Sequence, residues 1–105
     1  LDEIDAGVAG RTALAVGRLL ALLAHGQQVI CITHTAQLAA FADQHIVVTK
    51  EEREGETVTT VNSLATSEAR AQELARMLSG IDGSTTAMEN ARELLAAAAT
   101  SKLHQ

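Results

Sequence analysis

The sequence predicts an α/β fold, and three patterns along its 105 residues carry that prediction. A continuous β-branched run at residues 28–33 is typical of a parallel strand that is buried on both faces. Ala and Leu recur at helical spacing before this run and again near the end of the chain. Two further β-rich segments flank a charged connector that contains Gly55, which predicts a β-hairpin.

The first half of the chain predicts two helices around the buried strand. Residues 11–24 form a helix that is apolar on more than one face and therefore expects contacts on several sides. His25 and Gly26 end this helix. The strand at residues 28–33 follows, and a short helix covers residues 36–42.

The second half predicts the hairpin and two C-terminal helices. Strands at residues 45–50 and 57–62 are joined by residues 51–56, whose charges also protect an exposed edge from aggregation. A helix covers residues 67–79, and a last helix, capped by Ser or Thr at its start, covers residues 84–99.

These elements predict one incomplete domain at residues 1–99, followed by a patternless tail at residues 100–105 that is expected to fray. The chain is 47% hydrophobic, yet it contains one Phe and no Trp or Tyr. Because Ala methyl groups bury little area, we expect the rest of the core, and part of the site, to lie before Leu1.

Composition excludes several classes of protein. No apolar run approaches the ~20 residues that span a bilayer, and no segment resembles a secretory signal. Cys31 is the single cysteine, which excludes a disulfide framework and a cysteine zinc site and predicts a cytoplasmic protein. The net charge of −5 argues against a broad phosphate-binding face on this segment.

The strongest local signal is the acidic opening Leu-Asp-Glu-Ile-Asp. Adjacent carboxylates at the carboxyl end of a strand suit phosphoryl transfer, because Asp2 can hold Mg²⁺ while Glu3 polarises an attacking water. Asp-Glu is also a common surface pair, so the motif alone leaves both interpretations open.

His34 gives the second signal. It directly follows the predicted buried strand, so it is expected at the same sheet edge as Glu3, where it can donate to a phosphate oxygen. A lone histidine in such a place is more often a loop or capping residue, but its placement relative to Glu3 favours a role in the site. The remaining histidines are interpreted as a helix end, a strand start and a solvated tail: His25, His45 and His104.

The sequence contains no Gly-x-x-x-x-Gly-Lys-Ser/Thr loop, the backbone cradle that binds nucleotide phosphates. The carboxylates and His34 are therefore half of a site, and the chain alone is expected to be inactive. A metal hydrolase is poorly supported, because no second histidine follows His34 at the i+4 position.

Four stretches that include these residues resemble the ATPase head of ABC and SMC proteins, namely residues 1–5, 7–13, 32–34 and 37–43. Residues 70–80, Arg-Ala-Gln-Glu-Leu-Ala-Arg-Met-Leu-Ser-Gly, are more particular. Together with the Glu-Leu-Leu of the last helix, they are similar to the C-terminal end of the RecN family of bacterial DNA repair proteins. The resemblance covers residues 1–95 and implies the C-terminal portion of a P-loop NTPase head of the ABC/SMC type.

The resemblance implies a role for each candidate residue. Asp2 would be the Walker B aspartate, which binds Mg²⁺ through water, and Glu3 the general base that activates water. His34 would be the switch histidine near the γ-phosphate. The D-loop, which crosses the interface between two heads, would comprise Asp5, Ala6, Gly7, Val8, Ala9 and Gly10. SMC D-loops often carry an aspartate near the position of Ala9, so that carboxylate is absent here.

ATP and Mg²⁺ are the implied cofactors of the complete head. The implied partners are the N-terminal half of the same head, a second head that sandwiches ATP, and DNA bound through other regions, with no membrane involved. The implied process is recombinational repair of double-strand breaks at the bacterial nucleoid.

Two other classes remain open. An AAA-type ATPase also uses a strand that ends in Asp-Glu-Ile-Asp, but it would be expected to show an Asn or Thr sensor where this chain has Thr33 and His34. A non-enzymatic interaction module of Ala-rich helices would explain why the chain has few large apolar side chains for a core. It does not explain why Glu3 and His34 are expected at one sheet edge.

Overall fold

The computed structural model of the chain describes residues 10–79 and 85–103, which contain four helices and a two-stranded sheet. In chain order these elements are α1 (Gly10–Leu23), α2 (Ala36–Ala39), β1 (Ile46–Arg53), β2 (Glu56–Ser63), α3 (Ser67–Ser79) and α4 (Thr85–Leu103). The α/β class is thereby confirmed as four helices and an antiparallel hairpin within these residues. None of these helices combines the length and apolar character that a membrane span requires.

The last helix is longer than the sequence predicts. The pattern predicts a frayed tail from residue 100, whereas α4 continues to Leu103. The Nζ atom of Lys102 donates to Oδ1 of Asp43 at 2.6 Å, which joins the last turn to the loop after α2. A cation in the last turn of a helix also interacts favourably with the helix dipole. These contacts explain why the helix does not end at residue 99.

The segment at residues 28–33 does not form the buried parallel strand that the sequence predicts. Ile32 takes part in an isolated β-bridge, and within residues 10–79 and 85–103 the sheet is the hairpin alone. Ile30 and Ile32 are 67% and 56% exposed. A strand that is buried on both faces needs neighbouring strands and a layer of helices on each face, which β-branched residues cannot supply by themselves.

The hairpin is antiparallel and pairs Ile46 with Ser63 at its base and Arg53 with Glu56 at its tip. Its two-residue turn has positive φ angles, 52° at Glu54 and 81° at Gly55. Positive φ at both central residues belongs to a type I′ turn, whose twist matches that of paired strands. The connector is therefore shorter than the predicted residues 51–56, because its outer residues join the ladder.

The core lies where α3 and α4 pack together, with α2 against α3 and α1 against both α2 and α4. Leu74 is fully buried, and its neighbours in the core are mostly alanines, whose small side chains let the helix backbones approach closely. The buried members of this cluster are Ala36, Ala39, Ala40, Phe41, Ala71, Leu74, Ala75, Ala87, Ala91 and Ala98. The Ala-rich composition thus builds close helix contacts in which Leu74 and Phe41 are the large buried members, and larger side chains such as Met77, Met88 and Leu94 pack partly buried against them.

Candidate functional site

Most of the predicted site lies outside the described residues. Asp2, Glu3 and the D-loop residues 5–9 belong to this part of the chain, and Gly10 is the first residue of α1. The expected approach of Glu3 to His34 therefore stays a prediction. His34 is the predicted catalytic residue whose surroundings are described.

His34 lies in the connection that leads into α2, and its side chain is exposed. The hydroxyl of Thr33 accepts a hydrogen bond from the N–H of Thr35 at 3.0 Å, which closes a small turn around His34. Thr35 then precedes α2 with an extended backbone, and its carbonyl accepts the N–H of Ala39 at 3.0 Å. The backbone on both sides of His34 is thus fixed by hydrogen bonds, while the imidazole faces solvent.

The helix that follows His34 is anchored by its buried face and by α3. Ala36, Leu38 and Ala39 are buried. The Nη2 atom of Arg70 donates to the carbonyl of Ala42 at 2.7 Å and to that of Ala40 at 3.5 Å. These carbonyls lie at and just beyond the C-terminal end of α2, where a helix leaves acceptors without an intrahelical partner.

A second pair of polar side chains, those of His45 and Arg70, lies where the hairpin begins. The carbonyl of His45 accepts the N–H of Leu64 at 2.9 Å, and Nδ1 of His45 and Nε of Arg70 are buried without a hydrogen-bond partner among the described residues. Burial lowers the pKa of His45, the charge of Arg70 lowers it further, and Glu73 acts in the opposite direction.

No pattern in the sequence indicates this group. The interpretation of His45 as a strand start is correct for its backbone, because β1 begins at the next residue. The charges that shift its pKa belong to Arg70 and Glu73, which lie 25 and 28 positions further along the chain. Local patterns do not report such long-range packing.

The described residues do not bring three or more His, Cys, Asp or Glu side chains together as a metal site. What they hold is one exposed imidazole in a fixed turn. Such an imidazole can donate a hydrogen bond to, or exchange a proton with, a group brought to it from elsewhere.

Comparison with known proteins identifies relatives that cover nearly the whole chain. The chain is 48% identical over 98 residues to the DNA repair protein RecN of Treponema pallidum, which covers 93% of the chain and 17% of that protein. It is 49% identical over 102 residues to RecN of Mycobacterium bovis, which covers 97% of the chain and 17% of that protein. The resemblance to the C-terminal part of RecN is confirmed. RecN of Deinococcus radiodurans is similar at 50% identity over 95 residues.

The chain spans about 17% of the length of the curated RecN proteins it matches. A match over 97% of the chain leaves out only a few residues, so it includes His34, the hairpin and α3. No protein-family model matches the sequence.

Proposed function

We propose that this chain is part of the ATP-hydrolysing head of a RecN-like protein in recombinational repair of DNA double-strand breaks. The observation that carries the proposal is 48–49% identity to DNA repair proteins named RecN over 93–97% of the chain. In this proposal the chain forms the C-terminal lobe of a P-loop NTPase head of the ABC/SMC type. The N-terminal half of the same head supplies the phosphate-binding loop and completes the sheet.

The chain contributes the acidic and histidine side chains of the site. Asp2 provides carboxylate oxygens, which Mg²⁺ prefers as ligands, and Glu3 accepts a proton from the attacking water. His34 donates a hydrogen bond to the γ-phosphate, and its exposed position in a fixed turn supports this role. Mg²⁺, when bound, neutralises charge on the β- and γ-phosphates. Residues 5–10 form the D-loop at the interface with a second head.

The comparisons favour this proposal over the two alternatives. An AAA-type ATPase or a helical interaction module would not be expected to share half of its residues with RecN proteins over nearly its whole length. The helices of the chain still provide interaction surfaces, but in this proposal they pack within the head.

The test uses a chimera in which this chain replaces the matching residues of Deinococcus radiodurans RecN, to which it is 50% identical. In this chimera, Glu3→Gln should abolish ATP hydrolysis and leave ATP-dependent association of the heads intact. His34→Ala should lower turnover about 10²-fold, the typical effect of removing one donor to a developing negative charge. His25→Ala is the matched control, because His25 is also an exposed histidine but lies in the turn after α1.

Each outcome bears on a different part of the proposal. Unchanged turnover in the Glu3→Gln chimera would contradict the general-base role. A chimera that neither associates with ATP nor hydrolyses it, beside an active Deinococcus radiodurans RecN, would contradict the proposal as a whole. The chain alone should show no ATP binding by calorimetry, since its sequence has no phosphate-binding loop. Micromolar binding would contradict the prediction that this chain carries only half of the nucleotide site.

A further inference from the structure

The helix that carries the turn of His34 is a single turn long. α2 comprises Ala36–Ala39, and isolated helices of this length are unstable in water. Its buried Ala36, Leu38 and Ala39 fix which face points to the core, but apolar burial is non-directional. Directional contacts at its ends therefore add to what fixes the position of α2.

Arg70 makes such directional contacts at the C-terminal end. Its Nη2 donates to the carbonyls of Ala42 and Ala40, and these charge-assisted bonds connect residues 28 and 30 positions apart. Arg70 itself is held by α3, where the adjacent Ala71 and the nearby Leu74 are buried in the core. The core-packed helix α3 thus holds the C-terminal end of the single-turn helix α2.

The hydrogen bonds of α2 connect this end to His34. Ala40 donates its N–H to the carbonyl of Ala36, and Ala39 donates to that of Thr35, each at 3.0 Å. Thr35 in turn donates to the hydroxyl of Thr33 across His34. A displacement at residues 40–42 is therefore passed on to the turn that presents the imidazole.

We infer that Arg70 is a positioning residue for His34, which it sets in place through α2. The inference rests on the proposed function, in which His34 meets the γ-phosphate. The ion pair of Lys102 with Asp43 holds the same loop from α4, but the Asp43 side chain is 82% exposed, so this pair is weakened by solvent. Arg70 differs because its hydrogen bonds are partly buried and are directed at backbone carbonyls.

The test uses the same chimeric RecN and separates kcat from KM. Arg70→Gln should lower kcat on the order of 10-fold without changing KM for ATP, since displacing a catalytic group by a fraction of an ångström impairs the reaction rather than binding. Arg70→Lys should restore part of the loss, because an ammonium group can donate to one carbonyl but lacks the planar fork of a guanidinium. Arg92→Gln is the matched control, since Arg92 makes only an exposed pair with Glu68 at 3.2 Å among the contacts described.

A double-mutant cycle distinguishes positioning from general damage. If Arg70 acts through His34, then Arg70→Gln should have no further effect on kcat in the His34→Ala background. An equal fold-loss in both backgrounds would overturn the inference, and so would an unchanged kcat in Arg70→Gln. If His34→Ala alone has no effect in an active chimera, the proposed role of His34 fails instead.

Amide hydrogen exchange gives a readout that does not depend on turnover. In the chimera, Arg70→Gln should increase exchange at the amides of Ala39 and Ala40, which donate within α2, and Arg92→Gln should not. Unchanged protection of these amides in Arg70→Gln would show that Arg70 does not hold α2, and it would contradict the inference even if kcat fell.

Discussion

A Cβ atom at Gly17 would clash with Cδ2 of Phe41, at a separation that real Cβ atoms essentially never show. Phe41 is buried just after α2, so its ring packs directly on the backbone of α1 at this glycine. The close approach explains why a glycine stands in the middle of a helix that is otherwise rich in Ala and Leu. It also connects α1 to the α2 segment that follows His34.

Gly17→Ala should therefore destabilise the protein, although alanine is favoured over glycine in a helix by about 1 kcal/mol. Overpacking against the Phe41 ring should outweigh that gain and leave a net loss of about 1–3 kcal/mol. Urea unfolding of the chain measures the difference. Gly26→Ala is the control, since a methyl group there would meet no atom within 4 Å, and it should change stability by less than about 0.5 kcal/mol. Equal stability of Gly17→Ala and the parent chain would contradict the packing of Phe41 on α1.

Leu74→Ala should give a larger loss. Leu74 is fully buried in a core whose other buried members are mostly alanines, so its truncation removes apolar contacts and leaves a cavity. Leucine-to-alanine changes in such places cost about 2–5 kcal/mol. Leu103→Ala removes the same atoms from a residue that is 82% exposed, and it should have almost no effect in the same urea titration. Similar losses for the two variants would place the core elsewhere.

Two substitutions in the turn of the hairpin should change the stability of the protein in opposite directions. Gly55 has φ of 81°, so Gly55→Ala should cost about 1 kcal/mol through backbone strain. Glu54 has φ of 52°, a conformation that asparagine adopts more readily, so Glu54→Asn should stabilise the hairpin by a few tenths of a kcal/mol. Thermal unfolding by circular dichroism compares both with the parent chain. A stabilising Gly55→Ala would rule out the type I′ turn.

Local chemistry explains which parts of the fold can be predicted from the sequence. The start of α3 is fixed locally, since the hydroxyl of Thr66 accepts the N–H of Ala69 at 3.0 Å, and the hairpin turn needs only its Gly. The exposure of Ile30 and Ile32 is not predictable in this way, because burial of a strand depends on neighbouring strands rather than on β-branching. The extension of α4 to Leu103 likewise depends on a distant contact, the pair of Lys102 with Asp43.

In the candidate site, too, some residues can be predicted from local sequence and others depend on distant contacts. A motif predicts His34 from its place after the β-branched run, and a resemblance assigns its role. The bonds of Arg70 to Ala40 and Ala42 span 30 and 28 positions, and nothing near Arg70 in the sequence specifies them. Residues that touch a ligand can be predicted from motifs, whereas those that position them require the fold.

The half-buried His45 makes stability depend on pH. Burial and the charge of Arg70 lower its folded-state pKa below 6.5, with Glu73 opposing them, so the unfolded chain binds more protons in the interval between the two pKa values. The free energy of unfolding should therefore be highest above about pH 6.5 and should fall as the pH drops through the folded-state pKa of His45. Urea titrations between about pH 7.5 and pH 5 measure this slope. His45→Gln should flatten it and His25→Gln, at an exposed site, should not; an unchanged slope in His45→Gln would assign the dependence to other groups.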